Sequence, residues 1–111
     1  DALLGAAALG DIGRHFPDTE AQFKGASSLA LLNHVHNLIR EKGFVINNID
    51  ITIVCEKPKL KSFIPEMVKN LSEVLELTED AVNVKATTTE GLGFEGEGLG
   101  ISAQAVALLR F

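Results

Sequence analysis

Between Phe44 and Ala86 the hydrophobic period changes from two to about 3.6 and back to two, which restricts the fold more than any other feature of the chain. Ile49, Ile51, Ile53 and Cys55 point one way along an extended segment, and Asp50, Thr52, Val54 and Glu56 point the other. This strand runs from Phe44 to near Glu56. A helix starting at Ser62 follows, with Phe63, Ile64, Met67, Val68, Leu71, Val74 and Leu75 as a wide apolar stripe. Pro65 sits in its first turn, where a missing amide costs nothing. After a turn at Thr78-Glu79-Asp80, Val82, Val84 and Ala86 alternate with Asn83, Lys85 and Thr87 as a second strand. Strand, helix, strand predicts a crossover.

The flanking segments fill in the rest. Asp1 to Gly10 reads as a helix with a face of small residues. It opens without an initiator Met, which implies residues upstream of it. Residues 11–27 have no periodicity of their own, and a loop of that length in a small domain is usually functional. Phe16 and Phe23 are positioned to pin it. Ser27 or Ser28 caps the next helix, whose face carries Leu29, Leu32, Val35 and Ile39, and Gly43 ends it. Five glycines crowd residues 91–100 before a last strand from about Ile101 to Leu109, which is placed to form a wide hairpin with its predecessor. The expected class is α+β or α/β, with one sheet and helices on one face.

Charge and composition narrow the function classes. Ten Lys and Arg against fifteen Asp and Glu give a net charge of −5, which argues against general nucleic-acid binding. No apolar run approaches the ~18 residues of a spanning helix. The stretch Ala2–Leu9 lacks the basic residues that precede a signal-peptide core. Cys55 is the single cysteine, so an intramolecular disulfide and a Cys-rich metal site are excluded and a reducing compartment is expected.

Three constellations can carry chemistry, and each has a plain structural alternative. Thr87, Thr88, Thr89 and Glu90 end a strand just before a glycine-rich loop. Three hydroxyls and a carboxylate there can hold a phosphate and a divalent cation, although threonine also simply favours strands. Lys57-Pro58-Lys59-Leu60-Lys61 gathers three cations after a strand, as a base-reading turn or as a solvated basic one. Asp11, Asp18 and Glu20 put carboxylates in the long loop, where such residues also cap turns. His34 and His36 lie about 200° apart around a helix, so they do not chelate one ion and read as surface or rim residues. His15 is undecided on spacing. The glycines of 91–100 enter a strand, not a helix, and are no dinucleotide fingerprint.

Taken in order along the chain, Asp1-Ala-Leu-Leu-Gly-Ala-Ala-Ala-Leu-Gly-Asp-Ile-Gly13, Phe16-Pro-Asp-Thr19, Phe23-Lys-Gly25, Pro58-Lys59, Val82-Asn-Val-Lys-Ala-Thr-Thr-Thr-Glu90 and Leu92-Gly-Phe94 resemble the 2-C-methyl-D-erythritol 2,4-cyclodiphosphate synthase family. The match runs the whole length without gaps. The resemblance implies a trimer-forming α+β fold with a single mixed sheet, of ferredoxin-like or chorismate-mutase-like architecture, with residues 1–111 as one domain. It implies a lyase of the non-mevalonate isoprenoid pathway. The 2-phosphate of 4-diphosphocytidyl-2-C-methyl-D-erythritol 2-phosphate attacks the β-phosphorus, CMP leaves and a cyclic diphosphate forms. It further implies a zinc ion, a magnesium or manganese ion, a homotrimer with sites between subunits, and a bacterial cytoplasmic or plastid location, with no nucleic acid and no membrane as partner.

Carried over by position, Asp11, Ile12 and Gly13 resemble contacts on the methylerythritol side. Phe16, Pro17, Asp18, Thr19 and Glu20 resemble the loop that closes over substrate. Cys55, Glu56, Lys57, Pro58, Lys59, Leu60 and Lys61 resemble the cytidine pocket, where backbone groups read the base. Thr87, Thr88, Thr89 and Glu90 hold the diphosphate, with Thr88 stabilising the transition state and Glu90 as the magnesium or manganese ligand. Phe94 matches a residue near the threefold axis. Two departures stand out. The family's N-terminal strands, its Asp-x-His zinc motif and a catalytic-histidine loop have no counterpart in these 111 residues, so the domain is expected to be incomplete on that side and the zinc ligands to lie elsewhere. Glu97 stands where many members carry an arginine facing the central cavity. The competing expectation is a non-catalytic trimeric fragment or paralogue that binds cytidine phosphates. A regulatory small-molecule domain of similar trimeric shape rests on fold analogy alone.

Overall fold

A computed structural model describes residues 1–17, 25 and 27–111. Asp18, Thr19, Glu20 and Phe23 lie outside the described residues. The elements in order are α1 (Ala2–Ala6), α2 (Ile12–His15), α3 (Ser28–Glu41), β1 (Val45–Val54), α4 (Ile64–Leu75), β2 (Val82–Thr87), α5 (Gly93–Gly96) and β3 (Ser102–Arg110). A 3₁₀ turn at Lys61–Phe63 leads into α4, and another at Glu79–Ala81 leads into β2.

Helix ends follow local chemistry. Ser27 Oγ accepts the Leu29 amide at 3.2 Å and starts α3. Gly43, at φ +95°, ends it. Its amide bonds the Arg40 carbonyl and that of Phe44 bonds the Ile39 carbonyl, a Schellman motif. α1 and α4 close in the same way on residues with side chains, Ala8 at φ +58° and Glu76 at φ +54°. For that reason α1 stops at Ala6, short of the ten-residue stretch expected. Asp11 caps a single helical turn, α2, inside what the sequence presents as plain loop: its Oδ1 accepts the Arg14 amide at 3.0 Å.

The sheet has order β2-β1-β3, with β1 parallel to β2 and antiparallel to β3. The β1-α4-β2 crossover is as expected. The hairpin is not: β3 pairs with β1 instead of its predecessor β2, because the segment after β2 crosses the end of β1 and delivers β3 to the opposite edge. In that register Ala103, Ala105 and Ala107 lie beside Ile53, Ile51 and Ile49, and α1 packs over these small residues of β3. A bulge at Asn47 shifts the pleat, so Ile46 and Ile49, three apart, both face the helices. They meet Leu3, Leu4, Ala7, Val35, Ile39 and Leu75 in the core. Leu4, Ile39 and Leu75 are fully buried, each worth about 1.5–3 kcal/mol of transfer free energy. The molecule is therefore α+β, with one mixed sheet carrying its helices on one face.

His36 departs from its expected rim position. It is buried, 7% exposed, beside Val35 and one turn after Leu32 on the stripe, and it hydrogen-bonds the Val74 carbonyl of α4. The other sheet face carries Asp50, Asn83, Lys85, Val106 and Leu108. Val106 is 73% and Leu108 59% exposed. Asp50 there accepts from Asn83 Nδ2 at 2.9 Å and Lys85 Nζ at 2.7 Å, and these bonds, Asn83's first, hold its carboxyl below the ordinary 3.8. No described helix is long and apolar enough to cross a membrane.

Candidate functional site

Where β1 and β2 end side by side, the chain splits into two turns. The Cys55 amide donates to the Thr87 carbonyl at 3.0 Å, one rung beyond the last residue of β1. From there β1 runs into Glu56–Lys61 and β2 into Thr88–Leu92. Between the two turns lies a cavity of about 170 Å³ lined by Cys55, Lys59, Leu60, Lys61, Ala86, Thr87 and Thr88. Two strings separated by 26 residues in the sequence thus meet because parallel pairing brings both strand ends to the same edge.

Each turn is internally tied. The buried Cys55 thiol donates to the Lys57 carbonyl at 3.2 Å, and the Pro58 carbonyl lies 3.6 Å from it. The Lys57–Pro58 peptide is cis. Lys57, Lys59 and Lys61 are exposed. Thr88 Oγ1 accepts the Glu90 amide at 3.2 Å, which leaves its own hydroxyl proton free to donate. Thr89 Oγ1 bonds the Leu92 carbonyl. Glu90 has φ +55° and Gly91 φ +82°, so two successive residues are left-handed. The Glu90 carboxylate is exposed and has no hydrogen-bond partner among the described residues. The turn is backed by Gly96 of α5, where a Cβ would overlap the Gly91 backbone.

The remaining expected residues lie elsewhere. Asp11, Ile12, Gly13, Phe16 and Pro17 sit on and around α2 and line none of this cavity. The Asp11 carboxylate caps its helix, and the Asp1 carboxylate, not singled out from the sequence, accepts the Ile12 amide at 2.8 Å. Phe16 stacks edge-on against His34 at 5.1 Å. Phe94 is exposed on α5, and Glu97 caps its end. Glu56 does not line the cavity; its Oε1 accepts the Gly91 amide at 2.9 Å.

A divalent hard cation needs one or two carboxylates plus phosphate oxygens, which Glu90 and a bound diphosphate would together supply. A zinc ion finds no equivalent. Among the described residues no three His, Cys, Asp or Glu side chains converge. His15 Nε2 is taken up by the Leu9 carbonyl at 2.7 Å, and His36 is enclosed beside Arg40. The described residues do not fit zinc.

The family model described as the YgbB family matches residues 1–110. A Methylococcus capsulatus protein named 2-C-methyl-D-erythritol 2,4-cyclodiphosphate synthase is 60% identical over 109 residues, 98% of this chain and 69% of its own. A Geobacter metallireducens protein of the same name is 62% identical over the same shares. Among solved structures, the bifunctional IspDF of Campylobacter jejuni superposes with TM-score 0.94 at 48% identity, covering 98% of this chain and 30% of that one. The CDP complex of Plasmodium falciparum IspF superposes with TM-score 0.85 at 35% identity, covering 98% and 65%.

Proposed function

Because this chain belongs to the YgbB family, we propose that it cyclises 4-diphosphocytidyl-2-C-methyl-D-erythritol 2-phosphate to 2-C-methyl-D-erythritol 2,4-cyclodiphosphate. An oxygen of the 2-phosphate forms a bond to the β-phosphorus, the bond from β-phosphorus to the bridging oxygen breaks, and CMP departs with that oxygen. The observation that carries this reading is the cavity joining Cys55–Lys61 to Thr87–Thr88. A cytidine enters the first turn, where backbone groups at Cys55, Lys57, Pro58, Lys59, Leu60 and Lys61 read its base. Its diphosphate then reaches the second turn, at Thr87, Thr88, Thr89 and Glu90.

In such phosphoryl transfers positioning and charge neutralisation do most of the work. The Thr88 hydroxyl, its lone pair occupied by the Glu90 amide, donates to a transferring phosphoryl oxygen. Glu90 holds magnesium or manganese, which when bound neutralises phosphate charge. The lysines at the mouth supply local positive charge to a chain of net charge −5.

Asp11, Ile12, Gly13, Phe16 and Pro17, with Asp18, Thr19 and Glu20, complete the methylerythritol side in a homotrimer, across the boundary with a neighbouring copy. The absence of Asp11, Ile12, Gly13, Phe16 and Pro17 from the cavity lining, and the exposure of Val106 and Leu108 on the open sheet face, support that arrangement. Phe94 and Glu97 lie toward the trimer axis. The 111 residues serve as one domain of the enzyme, in a bacterial cytoplasm or plastid, a setting in keeping with a lone free cysteine. Incubation with the substrate and magnesium, followed by ³¹P NMR, tests the reading: CMP and a cyclic diphosphate should form together. CDP binding without CMP release would instead establish a non-catalytic cytidine-phosphate binder.

A further inference from the structure

The Gly91 amide lies past the end of β2, where no strand partner remains for it. Its partner is a side chain 35 residues away: Glu56 Oε1 at 2.9 Å. Glu56 stands at the first position after Cys55, where the base-side turn begins, and it is half-buried. Its carboxylate therefore spans the gap between the two turns that flank the cavity. It contacts backbone that needs holding. Glu90 and Gly91 are both left-handed, and for a residue with a side chain such as Glu90 that conformation is costly and persists only under external constraint. Gly96 supplies the constraint from behind, since any side chain there would strike Gly91 and come within 2.7 Å of Thr89 Oγ1. Glu56 supplies it from the front. A carboxylate accepting a backbone amide makes a short, charge-assisted bond, stronger than a neutral one.

We propose that Glu56 is a positioning residue: by gripping the Gly91 amide it locks the Glu90–Gly91 turn and so aims the Glu90 carboxylate and Thr88 hydroxyl at the diphosphate. This rests on the proposed cyclisation and gives Glu56 a different part from the cytidine contacts around it. An anionic side chain left free beside a diphosphate would repel it. Committed to an amide, it instead preorganises the groups that bind it. The arrangement also ties the base-reading turn mechanically to the phosphate turn, so the two halves of one nucleotide site cannot drift independently.

The test compares wild type, Glu56→Ala and Glu56→Gln in the full assembled protein. Glutamine keeps a side-chain carbonyl able to accept the amide, and alanine does not. Three readouts separate positioning from direct contact: the Gly91 amide shift and exchange rate by ¹⁵N NMR, CMP affinity, and kcat with its magnesium dependence. In Glu56→Ala the Gly91 amide should lose its hydrogen-bonded shift and exchange faster. The kcat should fall about 10- to 100-fold and more magnesium should be needed. CMP affinity, read by the base turn, should hold, which also reports an intact fold. Glu56→Gln should restore the amide and most of the turnover. The proposal is overturned if both variants lose turnover equally while the Gly91 amide is unchanged in Glu56→Gln, since the carboxylate would then act on substrate or metal itself. Wild-type turnover in Glu56→Ala would overturn it as well. If wild type releases no CMP at all, the cyclisation reading fails instead. The Gly91 amide and the magnesium dependence of CDP affinity across the three proteins then still decide the role of Glu56.

Discussion

Thr88 combines two properties at one atom: its oxygen accepts the Glu90 amide and its proton is available. Thr88→Ala should therefore lower turnover by ~10²–10³, the usual cost of one transition-state donor, with a much smaller loss of CDP affinity. Equal losses in kcat and in CDP affinity by calorimetry would reduce Thr88 to a binding contact. Glu90→Gln should leave folding intact and weaken the response to magnesium, because an amide is a poor ligand for a hard cation; overlaying magnesium titrations would remove Glu90 from the metal site. His36 governs a different property. Burial first, then the Arg40 charge, pushes its pKa below the ordinary 6.5, against the opposing pull of Glu76 and the Val74 carbonyl. A histidine depressed in the fold binds its proton more readily in the unfolded chain. Its contribution is complete above about pH 6.5 and is lost as the pH falls from there toward the folded value. Tm should drop on acidification through that window, and His36→Gln should flatten the slope. Asp50 does not confuse the measurement, since its own contribution is lost only below its ordinary 3.8.

At the scale of elements, the short helix α5 acts as the back wall of the Thr88–Leu92 turn. Gly96→Ala should disrupt that wall, because the new Cβ meets backbone that cannot yield. Overpacking of this kind costs about 1–3 kcal/mol and should displace Glu90 as well, so stability and turnover should fall together. Gly5→Ala is the matched control: nothing lies within 4 Å of the added carbon, and Tm should hold or rise. An unchanged Tm in Gly96→Ala would show that α5 moves away freely. Helix ends illustrate what local sequence conveys. The end of α3 is legible because Gly43 takes the left-handed position. The same motif on Ala8 and Glu76 is not, since nothing in those side chains favours the conformation.

For the whole molecule the exposed sheet face is the dominant feature. Val106 and Leu108 lie on it, 73% and 59% exposed, close to the Asp50–Lys85 pair. Two neighbouring large apolar side chains left open on one sheet face suit contact with another copy of the chain. Light scattering at micromolar concentration should give three times the 11.9 kDa chain mass, and Val106→Asp should shift it toward one chain. A monomeric wild type would sink the trimer. Zinc is a further test at this scale. The 111-residue chain, stripped and reloaded, should retain no stoichiometric zinc, since no three His, Cys, Asp or Glu side chains converge among the described residues. One tightly held ion per chain would show ligands converging where the described residues place none.

Local chemistry alone determined the strand-helix-strand unit and a serine cap at the start of α3, because period and capping preference are properties of neighbouring residues. The strings Cys55–Lys61 and Thr87–Glu90 were likewise legible as separate candidates. Their union in one cavity follows from the parallel register of β1 and β2. Other features depended on contacts that no neighbouring residue encodes. The bulge at Asn47 turned Ile46 inward, and packing of α3 against α4 buried His36. β3 chose the far edge, where its alanines admit α1. The bond from Glu56 to Gly91 closes a separation of 35 residues, and a glutamate in a basic turn carries no sign of an amide waiting across a gap that only the folded sheet creates.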